Sequence, residues 1–114
     1  KVNTIDGDWE VTSALIEGSG EIFIGDQYFK FDACKLKKDG YCTFTFEDYW
    51  NGDYFGGVYN VTHNGDQLNM TIFYDTIDQP YSFKIIKLND NKVILENLNA
   101  EDGTYSRIEL RSLD

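Results

Sequence analysis

The chain has 114 residues, 41% of them hydrophobic and 16% aromatic, with 20 Asp and Glu against 10 Lys and Arg for a formal charge of −10. That length suits one hydrophobic core, so a single domain over residues 1–114 is expected, and the aromatic content excludes a disordered chain. The negative field repels phosphate backbones and anionic headgroups, which sets nucleic acid aside as a partner, and no apolar run approaches the roughly 20 residues needed to span a bilayer.

Lys1 in place of an initiating Met is expected of a processed product. Residues 8–16 then alternate, with Trp9, Val11 and Leu15 on one side against Glu10 and Thr12 on the other, the pattern of a half-buried strand. Two short strands, residues 21–24 and 27–31, are expected to meet at Gly25-Asp26, with Phe29 and Phe31 sharing a face. Cys34 and Cys42 flank Lys38-Asp39-Gly40, and a loop centred on Lys38 sets the two thiols opposite each other within disulfide reach. A disulfide implies an oxidising compartment; two free thiols or half of a zinc site are the alternatives, although only one His exists to help complete a metal shell.

The turn dipeptides then set the pairing. A two-residue turn at Asn51-Gly52 pairs Trp50 with Asp53, Tyr49 with Tyr54 and Asp48 with Phe55, and leads back to Phe44 and Phe46. Asn64-Gly65 pairs Val61 with Leu68 and Tyr59 with Met70 on an apolar face, and Asn60 with Asn69 and Val58 with Thr71 on a mostly polar one. Around Asn89-Asp90-Asn91 the match sets Leu88 against Val93 and Ile86 against Leu95. The last turn, from Ala100 to Gly103, brings Ile108 or Leu110 opposite Leu95. No helical period competes, and roughly eight or nine strands joined by short connections make an up-and-down antiparallel meander. Such a sheet leaves two long edges unless it curls shut, so an all-β barrel is expected in preference to a two-sheet sandwich.

The start of the chain, Gly7-Asp8-Trp9, resembles the Gly-x-Trp opening of the lipocalin and calycin barrels. More closely, the chain is similar to the small lipocalin-like domains of Bacteroidota envelope lipoproteins. The residues that carry this are Ile5-Asp6-Gly7-Asp8-Trp9-Glu10, Cys34-Lys35-Leu36, Tyr41-Cys42, Gly57-Val58-Tyr59-Asn60-Val61 and Leu68-Asn69-Met70-Thr71. The resemblance implies a small lipocalin-like barrel with no cofactor, exported to the periplasm or cell surface and tethered through a lipidated Cys upstream. It also implies that a late basic residue, Arg107 or Arg111, packs across Trp9 in a structural role. A longer C-terminal helix of the lipocalin type has no room here.

The ring-rich segment Tyr49-Trp50-Asn51-Gly52-Asp53-Tyr54-Phe55 is the leading site candidate, because exposed rings at a hairpin tip commonly mark a binding surface. A cross-strand Tyr49–Tyr54 pair that merely stiffens the hairpin is the plainer reading. The inward set comprises Trp9, Val11, Phe29, Phe44, Phe46, Tyr59, Val61, Leu68, Met70, Ile86 and Leu95. It can line a cavity or fill the interior, and in the filled case a shallow pocket is expected near the open end.

With His63 as the sole histidine, no triad or metal cage assembles, and no enzymatic activity is expected. The acidic pairs Glu47-Asp48 and Glu101-Asp102 read as solvated turn residues, with a weak calcium site as the alternative. Asn60-Val61-Thr62 and Asn69-Met70-Thr71 match the N-glycosylation sequon by chance, and Asp75-Thr76-Ile77 is similar to the O-glycosylation signal of Bacteroidota. The expected function is monomeric binding of a small apolar or amphiphilic molecule at the open end, contacted by Tyr49, Trp50, Tyr54, Phe55, Phe44 and Tyr59. The rivals are a protein partner, as for barrel-type protease inhibitors, and a glycan held by the aromatic tip.

Overall fold

A computed structural model describes residues 5–22, 25–32, 42–62, 65–74, 76–99 and 104–113. The alternating segments form β1 (Gly7–Ile16), β2 (Gly20–Ile22), β3 (Gln27–Phe31), β4 (Cys42–Asp48), β5 (Asp53–Thr62), β6 (Gln67–Tyr74), β7 (Ile77–Leu88), β8 (Lys92–Asn97) and β9 (Tyr105–Ser112). They make one antiparallel sheet in the order β2-β1-β3-β4-β5-β6-β7-β8-β9, and β1 pairs with β9 as well. That extra pairing closes the meander into a barrel whose eight staves are β1 and β3 to β9. The short β2 lies beside the end of β1, from Ala14↔Ile22 to Ile16↔Gly20. No α-helix occurs among the described residues.

Where turn chemistry and hydrophobic pattern agree, the pairing is as expected. Val61 faces Leu68, Tyr59 faces Met70, Asn60 faces Asn69 and Val58 faces Thr71, while Leu88 faces Val93 and Leu95 faces Ile108.

Four expectations are corrected, each by a local hydrogen-bonding or packing choice. The tip after β4 is a four-residue loop, because Asp48 pairs with Asp53, Glu47 with Tyr54 and Phe46 with Phe55. Asp48 causes the slip: its Oδ1 accepts from the Trp50 and Asn51 amides at 3.0 and 3.1 Å, and its carbonyl accepts from Gly52 N at 2.8 Å. Gly52 takes the left-handed conformation (φ 75°) that ends such a loop. In β1, Val11 pairs with Leu110 and Ser13 with Glu109, so Thr12 is an extra residue. This bulge turns Ala14 inward and moves Leu15 off the core face. A second irregularity places Ile85, not Ile86, opposite Leu95 and leaves Ile86 43% exposed. Finally, β2 and β3 do not form a hairpin at Gly25-Asp26; both pair with β1, one after the other along its length.

The core fills the end of the barrel where β1 begins. Trp9, Phe31, Phe44, Tyr59, Leu68, Val93 and Leu110 are all buried there. Trp9 Nε1 donates to the Ile5 carbonyl at 2.7 Å, and the Tyr59 hydroxyl donates to the Asp32 carbonyl at 2.6 Å, so both polar tips are satisfied in the interior. The edge of Tyr59 meets Phe31 at 5.0 Å. At Gly57 the strands approach so closely that a Cβ would lie 2.0 Å from the Thr71 carbonyl oxygen and 2.8 Å from the Phe44 ring. Phe44, the cross-strand partner of Gly57, thereby occupies the space a larger side chain would take.

The opposite end is less complete. β7 outruns β8: the β7–β8 pairing stops at Phe83↔Asn97, and beyond it the Ser82 carbonyl accepts only from Leu98 N at 2.9 Å. The overhang, residues 77–82, remains paired with β6 and contains Pro80.

Candidate functional site

A cavity of about 360 Å³ opens at the end of the barrel that carries the 49–52 loop and the β8–β9 connection. Alternation along the staves supplies its wall: Phe29 and Phe31 from β3, Phe46 from β4, Phe55 from β5, Met70 and Ile72 from β6, Tyr81 and Phe83 from β7. Ala14, turned inward by the β1 bulge, adds the smallest side chain of the wall. The rings pack on one another, Phe29 against Phe46 at 4.7 Å and Phe46 parallel to Phe55 at 6.0 Å. A volume of this size, with aromatic walls, is within the range of small-molecule pockets.

The polar groups of the wall are Gln27, Gln79, Asn97, Thr104 and the phenols of Tyr81 and Tyr105. None of the described lining residues is charged. Tyr81 donates to Gln79 Oε1 at 3.2 Å, and Asn97 Nδ2 donates to the Tyr105 carbonyl at 2.9 Å. Gln27 Nε2 donates to Asp48 Oδ2 at 2.9 Å, and Gln27 and Tyr105 both line the cavity. Burial pushes the Tyr105 phenol upward and the Asp48 charge adds to this, against the opposing effect of the Gln27 side chain. Burial also acts to raise Asp48, but hydrogen bonds from the Asn51 amide and side chain, from Gln27 and from the Trp50 amide outweigh it. Asp48 is therefore held below the usual carboxylate range.

Of the residues expected to contact a ligand, Phe55 alone lines the cavity. Alternation accounts for this: Phe55 lies opposite Phe46 on the inner face, so Tyr54, opposite Glu47, lies on the outer face and is 66% exposed. Tyr49 and Trp50 stand in solvent at the tip, 66% and 69% exposed. The Tyr49 hydroxyl bonds Glu47, and its ring lies 5.7 Å from Tyr28 on the outside of β3. The expected Tyr49–Tyr54 pair does not form. Phe44 and Tyr59 belong to the filled end, packed against Phe31.

Trp9 is buried as expected, but neither arginine packs across it. Arg107 and Arg111 alternate with the inward Ile108 and Leu110, so they lie on the outer face of β9. Arg111 pairs there with Glu10, and Arg107 with Glu96 at 3.8 Å and Glu109 at 3.6 Å. Cys42 is half-buried on β4, whereas Cys34, Tyr41, His63, Asn64, Asp75 and the Glu101-Asp102 pair lie outside the described residues. Asp48's oxygens are engaged by its own loop and by Gln27, and no cluster of three or more metal-ligating side chains occurs among the described residues. Asn69 Nδ2 donates to Asn60 Oδ1 at 3.0 Å and to Thr62 Oγ1 at 2.9 Å, which ties both sequon asparagines into an outer-face network. Thr76 is exposed.

Sequence reasoning missed Gln27, Ile72, Gln79, Tyr81, Phe83 and Tyr105. Strict alternation offered a signal for most of them, since Gln27, Phe29 and Phe31 share one face of β3 and Gln79, Tyr81 and Phe83 share one face of β7.

The profile of the lipocalin-like domain matches residues 5–95, from the buried Ile5 to the inward Leu95 of β8. The chain belongs to this lipocalin-like family. No curated protein and no solved structure matches it. For a lipocalin-like barrel, membership points to ligand binding in general, and the closing strand β9 lies beyond the matched segment. No helix among the described residues is long and apolar enough to cross a membrane.

Proposed function

We propose that this lipocalin-like barrel is a non-enzymatic carrier that holds one small apolar or amphiphilic molecule in its open end. The single observation that carries the reading is the cavity of about 360 Å³, walled by aromatic and aliphatic side chains and reached from solvent at one end of an otherwise filled barrel. Water in such a space has few partners, so an apolar guest gains by displacing it. Ala14, 1% exposed and part of the wall, allows the test. Nile red, an uncharged apolar dye, is expected to fluoresce with the native protein and not with Ala14→Phe, whose ring would occupy the cavity. Equal fluorescence with a folded Ala14→Phe, or none with the native protein, overturns the reading.

The proposed setting is the cell envelope, with export, a Cys34–Cys42 disulfide and an upstream lipid tether. The spacing of the two cysteines and the family resemblance of the opening residues support it.

The three exposed rings Tyr49, Trp50 and Tyr54 favour a second reading, recognition of a protein or glycan by the outer tip. In that case Trp50→Ala abolishes partner binding and leaves the dye untouched.

A further inference from the structure

The cavity wall is not uniform, and its polar part is concentrated near Gln27. On β3 this residue pairs with Asp48 of β4, and both side chains are buried, 8% and 4% exposed. Gln27 lines the cavity and Asp48 does not, so the carboxylate sits one hydrogen bond behind the wall. Asp48 is fully engaged: Oδ1 accepts from the Trp50 and Asn51 amides, and Oδ2 accepts from Asn51 Nδ2 and Gln27 Nε2 at 2.9 Å each. This fixes the rotation of the Gln27 amide. The nitrogen must face Asp48, and the Tyr105 phenol lines the same cavity as the Gln27 amide. What reaches the cavity is an amide held in one orientation and a phenol, able between them to accept and to donate, backed by a negative charge and with no cationic side chain among the described lining residues.

Resting on the proposed carrier reading, we infer that Gln27 and Tyr105 determine ligand specificity, seating an uncharged polar head such as a hydroxyl, amide or ester and rejecting a carboxylate. The physical reason is asymmetric. A hydroxyl can exchange its water hydrogen bonds for bonds to the phenol and the amide. A carboxylate would lose its hydration with no cation to replace it, and would do so facing Asp48.

Displacement of Nile red by decanol and by decanoate at neutral pH tests this. The native protein is expected to release the dye at about tenfold or more lower decanol than decanoate. Oil–water partition by itself also favours the alcohol, so two variants separate the causes. Asp48→Asn keeps an oxygen for the Trp50 and Asn51 amides, removes the charge and, by placing an NH2 against Gln27, turns the Gln27 nitrogen toward the cavity; both changes are expected to narrow the ratio by strengthening decanoate. Tyr105→Phe is expected to weaken decanol several-fold more than it weakens Nile red, each measured by direct titration or displacement.

If both variants keep the native ratio, or decanoate competes as well as decanol in the native protein, the head-group inference falls and the carrier reading stands. Dye that binds but yields to neither competitor also overturns the inference. Absence of dye binding, or dye indifferent to Ala14→Phe, overturns the carrier reading instead.

Discussion

The two ends of the barrel share the same staves and the same alternation, yet one is filled and the other hollow. At the filled end Phe31, Phe44, Tyr59 and Trp9 point toward a common centre, with Leu68, Val93 and Leu110 packed among them. Gly57 brings β5 and β6 close enough there for the Phe44 ring to lie over the backbone. At the hollow end the rings lie along the wall instead: Phe29 meets Phe46 at a tilt, Phe46 lies parallel to Phe55, and Ala14 contributes the smallest side chain of the wall. Ring count is therefore a poor guide to whether a barrel is solid.

The largest expected effect falls on the filled end. Phe44→Ala should cost about 3–5 kcal/mol in denaturant unfolding, because a 1% exposed ring leaves a cavity that its neighbours cannot collapse into. A loss as small as that of a surface substitution would show that this end is also loose. Gly57→Ala comes next, at about 1–3 kcal/mol, since the added methyl meets main chain that must move.

A smaller, pH-dependent effect is expected at Tyr59, whose phenol is pushed up to about 12, first by burial and then by the charges of Asp6 and Asp32. The folded value lies above the ordinary 10.0, so the contribution is complete below that pH and is lost as pH rises toward 12. Tyr59→Phe should flatten this decline in pH-dependent melting. Last, Trp50→Ala should change stability by less than about 0.5 kcal/mol and leave dye binding intact, whereas Phe55→Ala should weaken dye binding. Loss of dye binding in Trp50→Ala would extend the site from the cavity to the tip.

The architecture was readable because two independent signals coincided at its turns. At Asn64-Gly65 the turn residues and the apolar face demand one register, and Val61 does face Leu68. At Asn51-Gly52 the same logic misplaced the register, because the Asp48 side chain captures the loop amides and moves the partner of Asp53 from Trp50 back two residues to Asp48. That shift leaves the faces unchanged, Phe55 inward and Tyr54 outward, so the rings of the tip were never on one side. The irregularities at Thr12 and Ile86 were equally hidden: an extra residue in a strand leaves composition unchanged and reveals itself only through the partner strand. Gln27 was overlooked for a different reason. Alternation puts Gln27 on the inward face with Phe29 and Phe31, but a glutamine there does not read as a wall group until its partner Asp48 is known to be buried.

The overhang of β7 past β8 has a consequence for how copies of the molecule behave in a crowded solution. Residues 77–82 present a rim with no β8 residue alongside, and Ile77 there is 57% exposed, which is the kind of margin on which a foreign strand can dock. Pro80 has no N–H to offer, and Asp78 places a charge next to Ile77, so the rim is a poor template for sheet growth from one molecule to the next.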